Sequence, residues 1–162
     1  NNNYQLMSSM LLSNIPIPKA YQSVAQFIIN TDLHRFFVQE ELKLKELRRL
    51  SDELQKWPVA LGNEQSFKLA ASERIYYEIK TIPHNIVPLQ HLHMLNSIFE
   101  ILGRMGMELD IWKSQNIYFS ITQGFRNGEN QFPNEEWKAA FQELGKWLKV
   151  DVRRLVASST TH

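Results

Sequence analysis

An indole and two carboxamides stand close together at Trp112, Gln115 and Asn116. Such groups neither take up protons nor attack carbonyls. Their chemistry is recognition: an aromatic face for stacking, and amides that donate and accept hydrogen bonds. At about 100° per residue, a helix beginning after Asp110 puts Ile111, Tyr118, Ile121 and Phe125 on one face. Trp112 and Phe119 extend that face on one side and Ile117 on the other. The apolar arc is wider than the stripe of an ordinary surface helix, and it predicts a helix enclosed by others. Gln115 falls inside the arc, with Thr122 one heptad further along. A buried carboxamide must satisfy two donors and two acceptor lone pairs, so Gln115 reads either as a packing clamp or as one wall of a binding site. Trp112 is open between a core role and a ligand-stacking one, and Asp110 is placed to cap the helix.

Catalytic groups are not assembled in the same way. His91 and His93 are two apart, so on a helix they point to different faces and cannot chelate one metal together. His84 shares a side with His91 across a proline turn, but no carboxylate stands at ligand spacing. There is no Gly-x-Ser-x-Gly elbow, no His-Glu-x-x-His and no glycine-rich phosphate loop; Gly103 and Gly106 fall where a helix ends. Glycoside hydrolysis needs two carboxylates held across the sugar. The nearest pair, Glu108 and Asp110, reads instead as a solvent-facing residue and a helix cap. The expectation is no catalytic residue, no metal and no cofactor. Trp57, Trp137 and Trp147 could also stack on sugar rings, although tryptophan at helical spacing, Trp137 above all, is more often core.

Composition agrees with a binding or structural role. The chain has 162 residues, 43% hydrophobic and 22% charged, enough for a real core and too apolar for disorder. A net charge of +1 does not supply the concentrated basic footprint of nucleic-acid binding. Lys43, Lys45, Arg48 and Arg49 alternate with Glu41, Glu46 and Asp52, as on a solvated helix face. The absence of cysteine removes disulfides, thiolate zinc sites and cysteine nucleophiles, and fits a cytoplasmic location. No apolar run approaches the length of about 20 residues that spans a bilayer. The Asn-Asn-Asn-Tyr start and the Ser-Ser-Thr-Thr-His end lead us to expect a segment from the C-terminal part of a longer protein.

The elements that must hold these residues are helices. Tyr4, Leu6, Met7, Met10, Leu11 and Leu12 form a short apolar opening segment that reads as a helix ending near Asn14, and Ile15-Pro-Ile-Pro18 a rigid extended connector. The next helix carries Tyr21, Val24, Ala25, Phe27 and Ile28, and Asn30-Thr31-Asp32 offers a cap and a restart before Leu33, Phe36 and Phe37. Glu40 to Trp57 reads as a surface helix with Leu42, Leu47, Leu50 and Leu54 inside. Asn63 caps a helix running to Ile82, with Phe67, Leu69, Ala70, Ile75, Tyr76 and Ile79 inward. Pro88 opens another, apolar at Leu89, Leu92, Leu95, Ile98, Phe99 and Leu102. After the Trp112 helix, a last one starts near Pro133-Asn134 and buries Trp137, Ala140, Phe141, Leu144 and Leu148. Val59-Ala-Leu61, Met107-Glu-Leu109 and Val150-Asp-Val152 each follow a helix and read as connectors anchored in the core. The fold expected is all-α, six to eight helices in a single bundle-like domain over residues 1–162.

Three stretches taken together carry a resemblance. They are Ile15-Pro-Ile-Pro with Ala20, Phe27-Ile-Ile-Asn30 and Asp32-Leu33; Trp57-Pro-Val-Ala-Leu61 with Ala70 and Ala71; and Leu109-Asp-Ile-Trp-Lys-Ser-Gln-Asn-Ile-Tyr-Phe119. Their order and spacing resemble the helical C-terminal domain of uncharacterised function found behind the catalytic barrel of some family 57 glycoside hydrolase-like proteins. The closest motif is Asp-x-Trp-x-x-Gln-Asn, carried by Asp110, Trp112, Gln115 and Asn116. The resemblance implies a cytoplasmic, α-glucan-processing parent whose catalytic carboxylates lie upstream. It also implies that the domain packs on that barrel as an accessory element. Trp112, Gln115 and Asn116 would then face an α-glucan or oligosaccharide, or the barrel itself. A self-standing protein-interaction module would instead show a large exposed apolar patch, and an independent enzyme would show titratable groups with perturbed pKa values in a pocket.

The histidine spacing generates the first prediction. Stoichiometric zinc, or a chelator, should leave the melting temperature unchanged; a shift with added metal would contradict the absence of a ligand set.

Overall fold

The computed structural model describes residues 2–12, 19–56, 65–82 and 87–151, and among them it contains seven helices and no strand. The chain is all-α, as its periodicity requires. It divides into two compact units, Asn1–Phe67 and Lys68–His162. The Ile15–Pro18 connector, the stretch from Trp57 through Leu61 to the Asn63 cap, His84, Val152 and the terminal tail lie outside the described residues.

The first unit holds α1 (Asn2–Leu12), α2 (Lys19–Val38) and α3 (Leu44–Lys56), together with the first turn of α4 (Gln65–Lys80). The restart offered by Asn30-Thr31-Asp32 is not taken, and α2 runs through it unbroken. Thr31 donates its hydroxyl back to the Phe27 carbonyl at 2.8 Å, and Asp32 pairs with Arg35 on the surface at 3.4 Å. Thr31 and Asp32 therefore each have a partner within the helix and cap nothing. Of the residues expected along the first half of α2 only Ala25 is buried. The inward face continues through Ile29, Leu33, Phe36 and Phe37, while Phe27 and Val24 are exposed. Because α2 reaches Val38, the following helix starts at Leu44 rather than Glu40. Residues 39–43 form the link, with Leu42 buried beneath it.

In the second unit α4 continues to Lys80 and is followed by α5 (Leu89–Arg104), α6 (Trp112–Arg126) and α7 (Glu135–Trp147). On α4 the buried positions are Phe67, Ala71, Ile75 and Ile79, four residues apart; Leu69, expected inward, is exposed. A four-residue step rotates the inner line only about 40° per turn, which leaves Leu69 on the opposite side. On α5 the residues Leu92, Leu95, Ile98, Phe99 and Leu102 are buried as read from the sequence. The five inner residues of the last helix are buried as well. Asn134, in extended backbone, caps that helix by accepting the Trp137 amide at 2.8 Å.

Helix ends fix the chain direction around the candidate site. After α5, Gly106 has φ +70°, Gly106 N–H donates to Gly103 O, and Met107 N–H donates to Leu102 O, a Schellman stop. The same pair of bonds closes α7, Lys149 to Lys146 and Val150 to Gly145, but its left-handed position is Lys149 at φ +60°. A side chain there costs about 1 kcal/mol relative to glycine. Lys149→Gly should therefore stabilise the chain by about 0.5–1 kcal/mol in urea unfolding; a loss of stability would show that the lysine side chain contributes more than its backbone costs.

Candidate functional site

The site predicted from the sequence is on α6, and α6 is fixed by α7. Tyr118 is fully buried, stacks on Phe141 with ring centroids 4.6 Å apart, and donates its hydroxyl to the Phe141 carbonyl at 2.7 Å. Burial pushes the Tyr118 phenol well above its ordinary value, an effect partly offset by the Gly145 amide. Ser114, Ile121, Thr122 and Gly124 complete the inward face. Gly124 lies close to the following turn: a Cβ there would stand 2.9 Å from Asn130 Nδ2, so that side chain would have to move, and Asn130 N–H donates to the Gly124 carbonyl. A cluster of Phe125, Phe132, Trp137 and Phe141 closes the far end, with Phe125 and Phe132 stacked at 4.2 Å. Trp137 is core, its indole N–H donating to Val87 O at 2.8 Å.

Trp112 and Phe119 are corrections to the broad apolar arc. Trp112 is 66% exposed and Phe119 53% exposed. The inward line runs through Ser114, Tyr118 and Thr122, whose small or hydrogen-bonding side chains allow close packing, so the buried face is narrow. At about 100° per residue, Trp112, Asn116, Phe119 and Gln123 fall on one outward stripe, with Asn116 exposed and Gln123 half-buried. The amides spaced between the two aromatics were the available signal for this orientation, and Phe119 was missed as a candidate for want of using it.

The predicted set separates into two groups. Trp112 and Asn116 share the outward stripe. Gln115 lies on the flank toward α7, half-buried, and its Nε2 donates to the Leu148 carbonyl at 2.8 Å. That bond joins the N-terminal turn of α6 to the C-cap of α7, which is the clamp of the first reading. Asp110 is exposed and its Oδ1 accepts the Trp112 amide at 3.1 Å, while Ile111 occupies the N-cap position without a side-chain cap. The carboxylate thus covers one free amide of the helix start from one residue further out. Glu108 is exposed, as expected.

On its other flank α6 meets α4. Lys113 reaches Glu73 at 3.0 Å and lies 5.9 Å from the centroid of the Tyr76 ring. The Glu73 hydrogen bond raises the Lys113 pKa above its ordinary value. Leu69 and Tyr77 of α4 are exposed, at 65% and 61%. Elsewhere in the unit, Glu78 takes Arg74 Nε on one oxygen at 2.7 Å and has His91 Nε2 3.2 Å from the other. His93 is exposed. Among the described residues no group of three histidines or carboxylates is placed to hold a metal ion. An apolar groove of about 230 Å³ runs beside Phe99, Leu102, Met107, Leu109 and Trp147. It is smaller than the small-molecule sites of about 300–1,000 Å³ found in proteins, and half-buried Met107 and Leu109 make it the anchored connector expected after α5.

No family model, no curated protein and no solved structure matches the chain. No described helix is long and apolar enough to cross a membrane.

Two substitutions separate the structural from the presenting residues. Gln115→Leu leaves the Leu148 carbonyl without its side-chain donor and should cost about 1 kcal/mol, the low end for a half-exposed group. Trp112→Ala should change stability by less than about 0.5 kcal/mol, against about 3–5 kcal/mol for a packed tryptophan. Chemical unfolding of both variants checks the pair; a large loss at Trp112 would place its ring in the core.

Proposed function

We propose that the chain is a non-catalytic accessory module of a glycoside hydrolase-like, α-glucan-processing protein, and that the outward stripe of α6 forms part of a sugar-facing wall. The observation that carries this reading is the exposure of Trp112 within the Asp110-x-Trp112-x-x-Gln115-Asn116 motif. Sugar rings offer apolar C–H faces edged by hydroxyls. A stripe of Trp112, Asn116, Phe119 and Gln123 alternates rings that can stack with amides that can bond hydroxyls. Gln115, engaged with Leu148, holds the helix in place while Trp112 and Asn116 present its surface. An upstream catalytic barrel would supply the acid and nucleophile and the opposite side of the cleft. With only one wall, the chain alone binds weakly and hydrolyses nothing.

A second reading, a protein-interaction module without a carbohydrate role, is favoured by Leu69 and Tyr77. Their exposure extends the apolar surface of this unit onto α4, and an aliphatic leucine provides no ring to stack on a sugar. The two readings differ at Trp112. Titrating the chain with a linear α-glucan oligosaccharide should perturb tryptophan emission at high ligand concentration, and Trp112→Phe should abolish the response. A flat titration, or one unchanged in the variant, would reject the sugar-facing wall and leave the interaction module.

A further inference from the structure

The first unit carries a surface that the proposed function does not use. Opposite its buried face, α2 exposes Ala20, Val24, Phe27, Thr31, His34 and Val38. Their spacing alternates four and three residues along the helix, which is the seam of a coiled coil. Phe27 is 71% exposed, Val38 57% and Val24 37%. The polar groups at two positions on or beside the seam are already satisfied within the helix. Thr31 donates to the Phe27 carbonyl, so its methyl is free to pack, and Ser23 donates to the Lys19 carbonyl. Arg35, at the border of the seam, is paired with Asp32.

We propose that this seam is a homodimer interface in which α2 packs antiparallel against α2 of a second copy. The spacing reads the same in both directions, so a two-fold axis between Phe27 and Thr31 maps the seam onto itself. Ala20 then faces Val38 of the second copy, Val24 faces His34, and Phe27 faces Thr31, a smaller residue against a larger one at the outer and central layers. Charge selects the antiparallel orientation. Lys19 opens the helix and the exposed Glu41 follows its end, so the lysine of each copy meets the acidic end of the other, a pair formed twice across the axis. Helix dipoles are aligned favourably in the same arrangement. A parallel pair would set like charges together at both ends. A helix of this length spans about 30 Å, and a contact made by one helix pair of that length is small among specific interfaces. The dimer is therefore reversible and concentration-dependent.

Sedimentation equilibrium on the 162-residue chain should show mass rising from monomer toward dimer with concentration. Phe27→Glu should hold it at monomer mass with unchanged helix signal, since the ring is not part of the fold's interior. The chain has no cysteine, so single thiols report the register directly. Mixing Ala20→Cys with Val38→Cys under oxidising conditions should give chiefly the mixed disulfide-linked dimer. Monomer mass at every concentration, a Phe27→Glu chain that still dimerises, or a preference for the two symmetric disulfides would each overturn the proposal.

Discussion

The second unit depends on side-chain hydrogen bonds to backbone carbonyls of α7 and its C-cap. Each carbonyl has two lone pairs, and a helix uses one of them. Tyr118 donates to Phe141 O, Asn96 of α5 donates to Ala140 O at 3.1 Å, and Gln115 donates to Leu148 O at the helix end. These donors come from both helices that flank α7. Apolar packing alone would permit α5 and α6 to slide and rotate along it by small amounts. Directed bonds to fixed carbonyls, worth about 1 kcal/mol each in net stability, select one rotation of α6. That rotation turns Trp112 and Phe119 away from the interior.

The outward stripe follows from this constraint. Tyr118 can reach the Phe141 carbonyl only if the line through Ser114, Tyr118 and Thr122 faces α7, which leaves the line through Trp112, Asn116, Phe119 and Gln123 on the far side. The Lys113–Glu73 pair then lies on the α4 flank and Gln115 on the α7 flank. The residues that hold α6 and the residues it presents are thus different sets on one short helix. Changes on the presented side leave the bonds that hold α6 in place untouched.

Much of the fold was legible from spacing. The inner faces of α5 and α7, the start of α7 near Asn134 and the stop after Gly106 follow from apolar periodicity and from the few residues that suit such positions. What the sequence did not give has a common physical cause. Where a helix is apolar on more than one side, as α2, α4 and α6 are, periodicity does not say which side is packed. Phe27, Leu69 and Phe119 read as inward on that basis, Trp112 stays open between the core and ligand stacking, and all four are exposed. Polar residues resolved the ambiguity only in combination. Gln115 reads either as a clamp or as one wall of a site, because its partner, the carbonyl of Leu148, lies 33 residues away and has no side-chain signature. Gly124 likewise gives no sign in sequence of the close approach of Asn130.

The central claim is that a buried, neutral Tyr118 hydroxyl anchors α6 to α7. Folding holds this phenol neutral and raises its pKa, so its contribution is intact below pH about 10, where an unfolded tyrosine ionises, and is lost as the pH rises beyond that point. The most direct measurement is a spectrophotometric alkaline titration of the chain against its Tyr118→Phe variant, with helix content followed in the same samples. The difference between the two curves is the ionisation of Tyr118. The account predicts that this difference appears only at the pH where the helix signal collapses. Reversible ionisation of Tyr118 near pH 10, with the helices intact, would contradict it.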